Sequence, residues 1–152
     1  MIQIVNGINQ IEEIKELIIQ YTLYLNRDLS FQNIEEELKD LKYKYTGENG
    51  KILAALANNK VVGCVAYHKH NDKRCEMKRL FVLEEYRNLH IGESLIQEII
   101  KLAKENYFQE MVLDTIEPLK PAIHLYKKFG FIETESYYDN PMSDVIYMKK
   151  IL

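Results

Sequence analysis

The sequence predicts an α+β domain built on a mostly antiparallel sheet, and three observations carry that reading. Lys51 to Ala57, Lys60 to His68 and Arg74 to Val82 are apolar, strand-like runs separated by short polar turns, which makes an antiparallel meander. The turn between the first two is Asn58-Asn59, a composition suited to a tight hairpin. Beyond Val82 the apolar period lengthens from two residues to about 3.6, and helix then alternates with strand to the end of the chain.

The elements follow in order. Met1 to Val5 reads as a short strand. Ile11 to Leu25 places Ile11, Ile14, Leu17, Ile18, Tyr21 and Leu25 at helical spacing. Ser30 can cap a second helix, with Ile34, Leu38 and Leu41 inward and the acidic run Glu35, Glu36, Glu37 on a solvated face. After the meander, Ile91, Leu95, Ile99, Ile100, Leu102 and Ala103 mark a long amphipathic helix, and Met111 to Asp114 an apolar strand. Pro121 opens a further helix, Ala122 to Phe129, which ends before Gly130, where a left-handed cap is usual. Phe131 to Ser136 and Val145 to Ile151 complete the sheet. Along Arg74 to Val82, regular alternation sets Glu76 opposite in face to Cys75 and Met77, and on the same face as Lys78 and Leu80.

Length and composition narrow the classes. With 152 residues, 47% hydrophobic and 28% charged, the chain suits one domain over 1–152, with a continuous core and neither linker nor repeat. Its net charge of −3 argues against a broad cationic surface for nucleic acid. No apolar run approaches a membrane span and no basic leader opens the chain, so a cytoplasmic protein without membrane attachment is the expectation. Cys64 and Cys75 have no metal-ligand spacing; they read as reduced packing residues facing each other across a hairpin. No metal site is expected.

The informative segment runs from Leu80 to Leu95. A strand enters a loop holding Arg87 and Gly92 and then a helix start, which turns unpaired N–H groups and the positive end of the helix dipole toward one place. That is an anion site. Neither the dinucleotide glycine string nor the P-loop string is present.

The run Arg87-Asn88-Leu89-His90-Ile91-Gly92 resembles the coenzyme A loop of the GNAT acetyltransferase superfamily, Q/R-x-x-G-x-G/A, with His90 where the first glycine usually stands. Downstream, Ala122-Ile123-His124-Leu125-Tyr126-Lys127-Lys128-Phe129-Gly130-Phe131 is similar to the A-x-x-L-Y-x-x-x-G-F element of the same family. Glu76 to Leu80, Leu113-Asp114-Thr115 and Tyr137 to Pro141 look like a bacterial subgroup whose substrate is unassigned. The resemblance implies the GNAT fold: a six- or seven-stranded, mostly antiparallel sheet with a splayed parallel pair, flanked by about four helices.

It also implies the chemistry, which is transfer of the acetyl group of acetyl-CoA to a primary amine by direct attack on the thioester. Such a reaction needs an amine freed of its proton and a proton for the departing thiolate, groups whose pKa values lie near ~10 and ~8.5. Tyr126 matches the tyrosine that protonates the coenzyme A sulfur in the family, and a phenol with a pKa of about 10 stays able to donate at neutral pH. Glu76 stands where the family often places a base. The pantetheine is expected along Leu80, Phe81 and Val82, and the pyrophosphate on the N–H groups of Asn88, Leu89, His90, Ile91 and Gly92, with Arg87 adding charge and Glu93 and Ser94 opening the helix.

His90 is a departure: it implies either a helix-like conformation with an intact N–H or a shifted anion met by the imidazole. Leu119 is another, standing where the family often has an asparagine. The family's acceptor cleft corresponds to parts of 21–31 and 137–142, which points to Tyr24, Phe31, Tyr138 and Asn140. Asp139 with these aromatics could cradle a cationic amine, and Arg27 could hold a carboxylate, so small amines, amino acids and peptide N-termini all stay open. So do two other functions, a catalytically silent acyl-CoA-binding regulatory module and an acyltransferase for longer acyl groups. A homodimer is an assembly common in the family.

Overall fold

The computed structural model describes residues 1–27 and 34–152. Its seven strands are β1 (Ile2–Asn6), β2 (Gly50–Ala57), β3 (Lys60–Lys69), β4 (Arg74–Val82), β5 (Glu110–Ile116), β6 (Ile132–Glu133) and β7 (Val145–Ile151). They form one sheet in the order β1-β2-β3-β4-β5-β7-β6. Among the described residues the α-helices are α1 (Ile11–Leu25), α2 (Ile34–Lys39), α3 (Leu41–Lys44), α4 (Ile91–Glu105) and α5 (Lys120–Lys128). Every pairing is antiparallel except β4 with β5.

The meander forms as its sequence predicts. Asn58 and Asn59 both adopt positive φ, 51° and 66°, the conformation that lets a two-residue turn match the twist of its strands. Burial then fixes the layers. Ile14, Leu17 and Ile18 of α1 and Leu41 of α3 pack on one face of the sheet with Cys64, Ala66 and Phe81. Leu95, Ile96, Ile99 and Ala103 of α4 are fully buried on the other face, with Cys75, Met77, Met111 and Leu113. Each such leucine or isoleucine removed from water contributes about 1.5–3 kcal/mol, so α4 anchors the sheet around which the chain folds.

Three local expectations are corrected. The strand foreseen over 131–136 shrinks to Ile132–Glu133, because only those residues pair, with Lys149 and Met148 at the sheet's edge. The helical run from Ile34 to Leu41 breaks at Asp40, whose carboxylate instead accepts from Tyr43 N at 3.0 Å and starts α3; the cap foreseen at Ser30 lies outside the described residues. Cys64 and Cys75 do not face each other. They lie in the cores on opposite faces of the sheet, and burial first of all raises both thiols to about 12.

β4 departs from regular alternation. Its register with β3 shifts between Cys64 and Ala66, and Arg79 sits at φ 61°, which marks a β-bulge. Lys78 and Arg79 therefore do not alternate. Arg79 forms an ion pair with Glu37 of α2, Leu80 packs into the α4-side core, and Phe81 packs under α1. Leu80 is thus opposite in face to Glu76, against the regular pattern. The same bulge overturns the solvated reading of Glu37, which is 5% exposed and bonds Arg79 Nε at 2.7 Å and Nη2 at 3.0 Å, with Lys44 Nζ at 2.7 Å. Burial alone would raise this carboxyl, but the hydrogen bonds and charges of Arg79 and Lys44 outweigh it and hold it near about 2.

Candidate active site

β4 and β5 pair over three positions only, Arg74 with Glu110, Cys75 with Met111 and Glu76 with Val112. Beyond Glu76 and Val112 the strands diverge. The opening becomes a cleft of about 640 Å³, solvent at its mouth included, whose walls hold Lys78, Arg79 and Leu80 from β4, Asp114 and Thr115 from β5, and Tyr126 from α5.

Tyr126 reaches the cleft because α5 packs inward through Ile123 and Tyr126 and stops sharply. Gly130 takes φ 93°, and Phe131 N returns to the carbonyl of Tyr126 at 3.0 Å. The Tyr126 ring lies edge-on to Phe131, with centroids 6.0 Å apart. It is 7% exposed, and burial, with smaller contributions from Tyr21 and Asp114, moves its phenol above the ordinary value. It stays protonated at neutral pH.

Glu76 lies at the apex of the split and is 6% exposed. Tyr137 Oη donates to its Oε2 at 2.6 Å, His70 Nε2 lies 3.0 Å from Oε1, and Lys78 Nζ is 4.0 Å away. Burial works to raise the carboxyl, but His70, Lys78 and Tyr137 together hold it near about 2. The arrangement makes Glu76 a fixed anion with both oxygens engaged.

Asp114, which the sequence reading did not single out as a site, behaves differently. It accepts a hydrogen bond from Tyr138 Oη, while Asn140 Nδ2 donates to the same phenolic oxygen at 2.7 Å. Burial raises its carboxyl above the ordinary range, and the Tyr138 bond only partly offsets this. Its signal in the sequence was a lone acid inside the apolar strand Met111 to Ile116. Tyr137 and Tyr138 thus bond one carboxylate on each of the two diverging strands.

The remaining predicted positions separate. Tyr138 and Asn140 meet at Asp114, as described. Tyr24 is not in this cleft: its ring lies under the Arg87 guanidinium, 5.1 Å from the centroid, along a groove beside α1. Phe31 lies outside the described residues. Arg27 does line the cleft, but its guanidinium is bound in two places by Asp144, at 2.6 and 2.9 Å, so an internal carboxylate already occupies it. That pair ties the end of α1 to the loop before β7.

Past the end of β4, α4 begins at Ile91 with its first helical bond from Ser94 N to the His90 carbonyl, 3.1 Å, which leaves the amides of Ile91, Gly92 and Glu93 pointing out of the first turn. His90 is left-handed, φ 59° and ψ 22°, and Asn88 also has positive φ, 68°. The helix-like conformation anticipated for His90 is therefore wrong: it keeps the backbone a glycine would take. The imidazole is solvent-exposed and lies 3.4 Å from Glu93 Oε2, whose other oxygen meets Lys128 Nζ at 2.7 Å. Arg87 turns toward Tyr24 and Phe81 on the α1 side and donates to the Val82 carbonyl at 3.3 Å, away from the α4 start. A Cβ on Gly92 would come no closer than 3.7 Å to a protein atom, so protein packing does not require glycine there. Splayed strand edges, free first-turn amides and an unfilled approach at Gly92 together fit an extended, amide-bearing ligand that ends in an anion.

Comparisons with known proteins agree with this geometry. Residues 12–131 match the model of the Acetyltransferase (GNAT) family, and the chain belongs to that family. An uncharacterized N-acetyltransferase of Schizosaccharomyces pombe is 41% identical over 141 residues, covering 91% of this chain and 86% of its own length. One from Dictyostelium discoideum is 33% identical, with 98% of each chain covered. These relatives are eukaryotic, so the likeness is not confined to bacteria. An acetyltransferase of Streptococcus agalactiae superposes with a TM-score of 0.84 at 24% identity, covering 99% and 98% of the two chains. The PaiA N-acetyltransferase of Thermoplasma acidophilum, solved in complex with coenzyme A, superposes with a TM-score of 0.77 at 20% identity over 100% and 99%. The protein is an N-acetyltransferase of the GNAT family with a seven-stranded mixed sheet.

Proposed function

We propose that this protein transfers the acetyl group of acetyl-CoA to a primary amine by direct attack on the thioester. The observation that carries the reading is the split after Glu76 and Val112, which sets Tyr126 and Asp114 in one cleft, while the start of α4 lies beside Val82 at the end of β4. Bound acetyl-CoA supplies an activated carbonyl. The diverging edge of Leu80, Phe81 and Val82 suits the pantetheine amides, and the amides of Ile91, Gly92 and Glu93 suit the pyrophosphate.

The chain's own groups then divide the proton work. Asp114, a carboxylate with a raised pKa, takes the proton of the incoming ammonium, so that the nitrogen lone pair can attack the carbonyl carbon. The carbon–sulfur bond breaks, the Tyr126 hydroxyl gives its proton to the sulfur, and the second proton lost from the nitrogen as the amide forms restores the Tyr126 hydroxyl. Glu76 is assigned a different part. A carboxylate held near about 2 is a poor base at neutral pH, so Glu76 orients Tyr137 and His70 at the apex. Two buried free thiols fit a reducing, cytoplasmic setting.

The test is a pair of measurements on the purified chain. Acetyl-CoA should raise Tm, and coenzyme A thiol should be released when an amine is added. A protein whose Tm acetyl-CoA leaves unchanged, and which releases no thiol with small amines, amino acids or peptides, would end the proposal.

A further inference from the structure

Three cations line the acceptor end of the cleft, and they differ in how they are neutralised. Arg27 is held by Asp144 at 2.6 and 2.9 Å, and Arg79 by Glu37 at 2.7 and 3.0 Å. Lys78 has no such partner among the described residues. Its one ion-pair contact is with Glu76 at 4.0 Å, and both oxygens of Glu76 are already engaged more closely by His70 and Tyr137. The Lys78 side chain is nevertheless only 12% exposed. A half-neutralised ammonium at that depth is costly unless something else completes its shell.

Register places its counterpart. Glu76 and Val112 are the last paired residues of β4 and β5. Two positions further along each strand, on the same face, stand Lys78 and Asp114. They confront each other across the gap that the split opens, and both line the same cleft. They do not close on one another: no Lys78–Asp114 contact within 4.0 Å occurs among the described residues. One wall thus offers an ammonium, the other a carboxylate, and the space between is apolar on the side of Leu25 and Met142.

We infer that the acceptor is a free α-amino acid, whose α-ammonium meets Asp114 and whose α-carboxylate meets Lys78. The inference rests on the acetyl-transfer reading for its context and adds the class of substrate. The two charges of the zwitterion sit on groups borne by one carbon, so one small molecule satisfies both walls at once, and the side chain is left to the apolar surface. A simple amine would satisfy Asp114 alone and leave the Lys78 ammonium as it was.

The experiment is calorimetric titration of the full chain in excess coenzyme A with L-leucine, L-leucinamide and 3-methylbutylamine, which share a side chain and differ in the carboxylate. Leucine should bind at least about tenfold more tightly than either analogue. Lys78→Met should bring the three within about threefold of one another, and Lys78→Arg should keep their order. Equal binding of leucine and 3-methylbutylamine to the parent protein overturns the inference, and that arm needs no variant to fold. A tenfold preference that survives in Lys78→Met overturns it as well. Thiol release from acetyl-CoA is read separately. Zwitterion-selective binding without turnover upholds this site and overturns acetyl transfer, whereas equal turnover of leucine and 3-methylbutylamine does the reverse.

Discussion

Tyr138 donates its hydroxyl to Asp114, and this bond moderates a carboxyl that burial pushes upward. A base with a raised pKa is active only once the pH exceeds that value, so it sets the acid limb of kcat/KM. Removing the donor in Tyr138→Phe takes away a lowering influence, and the acid limb should move to higher pH. Asp114→Asn should lower kcat by about 10²–10⁴-fold. Glu76→Gln should keep an acid limb and move it to lower pH, since Glu76 is itself held at about 2 and its charge helps raise Asp114. A pH–rate profile of the three variants decides among them; an acid limb abolished in Glu76→Gln and retained in Asp114→Asn would return the base role to Glu76.

Tyr126→Phe deletes a hydroxyl from a ring already packed edge-on to Phe131. The aromatic burial survives, so Tm should change little. kcat should fall by about 10²-fold or more, with little change in KM for acetyl-CoA. Steady-state kinetics together with calorimetry would show whether the loss lies in chemistry or in folding.

The buried pair of Glu37 and Arg79 should contribute to acid stability, as should Glu76, which is held equally low. Glu37 is held near about 2 against an ordinary 4.5, so its contribution is complete above the ordinary value and is lost as the pH falls toward 2. Glu37→Gln, which removes the carboxylate charge from the buried pair, should cost about 3–5 kcal/mol at pH 7. It should also flatten the fall of stability between pH 5 and 2. Replacing both partners with Leu and Met should recover much of that loss. Denaturant unfolding across the acid range is the measurement, and an unchanged slope in Glu37→Gln would contradict it.

His90 adopts a left-handed backbone that costs a non-glycine residue about 1–2 kcal/mol. His90→Gly removes that cost while adding freedom to the unfolded chain, so a net gain of about 0.5–1 kcal/mol is expected. The gain should come without loss of coenzyme A affinity, because the ring is exposed and the loop amides keep their positions. Titration calorimetry in His90→Gly and the parent, across pH 6 to 8, reads both. If affinity in the parent falls as pH rises and the variant abolishes that trend, the imidazole itself meets the anion.

Much of the fold was legible because its signals are local. The Asn58-Asn59 turn, the period change after Val82 and the Pro121 to Gly130 helix each depend on a few neighbouring residues, and the strands Arg74–Val82 and Val145–Ile151 appear at the bounds expected. The start of α4 after the Arg87 to His90 loop was legible for the same reason. What escaped was pairing over distance. Glu37 read as solvated because its partner, Arg79, is 42 residues away and faces it only through a bulge. Tyr24 read as part of the acceptor cleft, and its relation to Arg87 is set by where α1 crosses the end of β4. Asp114 was visible as a lone acid in an apolar strand, yet its place in the cleft and the bond from Tyr138, which set it apart from a surface charge, come from residues distant in sequence.

A regular strand cannot show two consecutive side chains to the same side; β4 does so at Lys78 and Arg79. The strand therefore carries two reading frames, one for residues 74 to 78 and another, shifted by one, from Arg79 onward. Anyone altering this protein by parity must change convention at that point: a residue at 80 belongs to the α4 layer and not to the layer of Glu76, and a one-residue deletion before it would exchange the environments of Leu80 and Phe81. The extra residue is what lets a strand whose first half supports a polar apex turn apolar side chains to both layers in its second half.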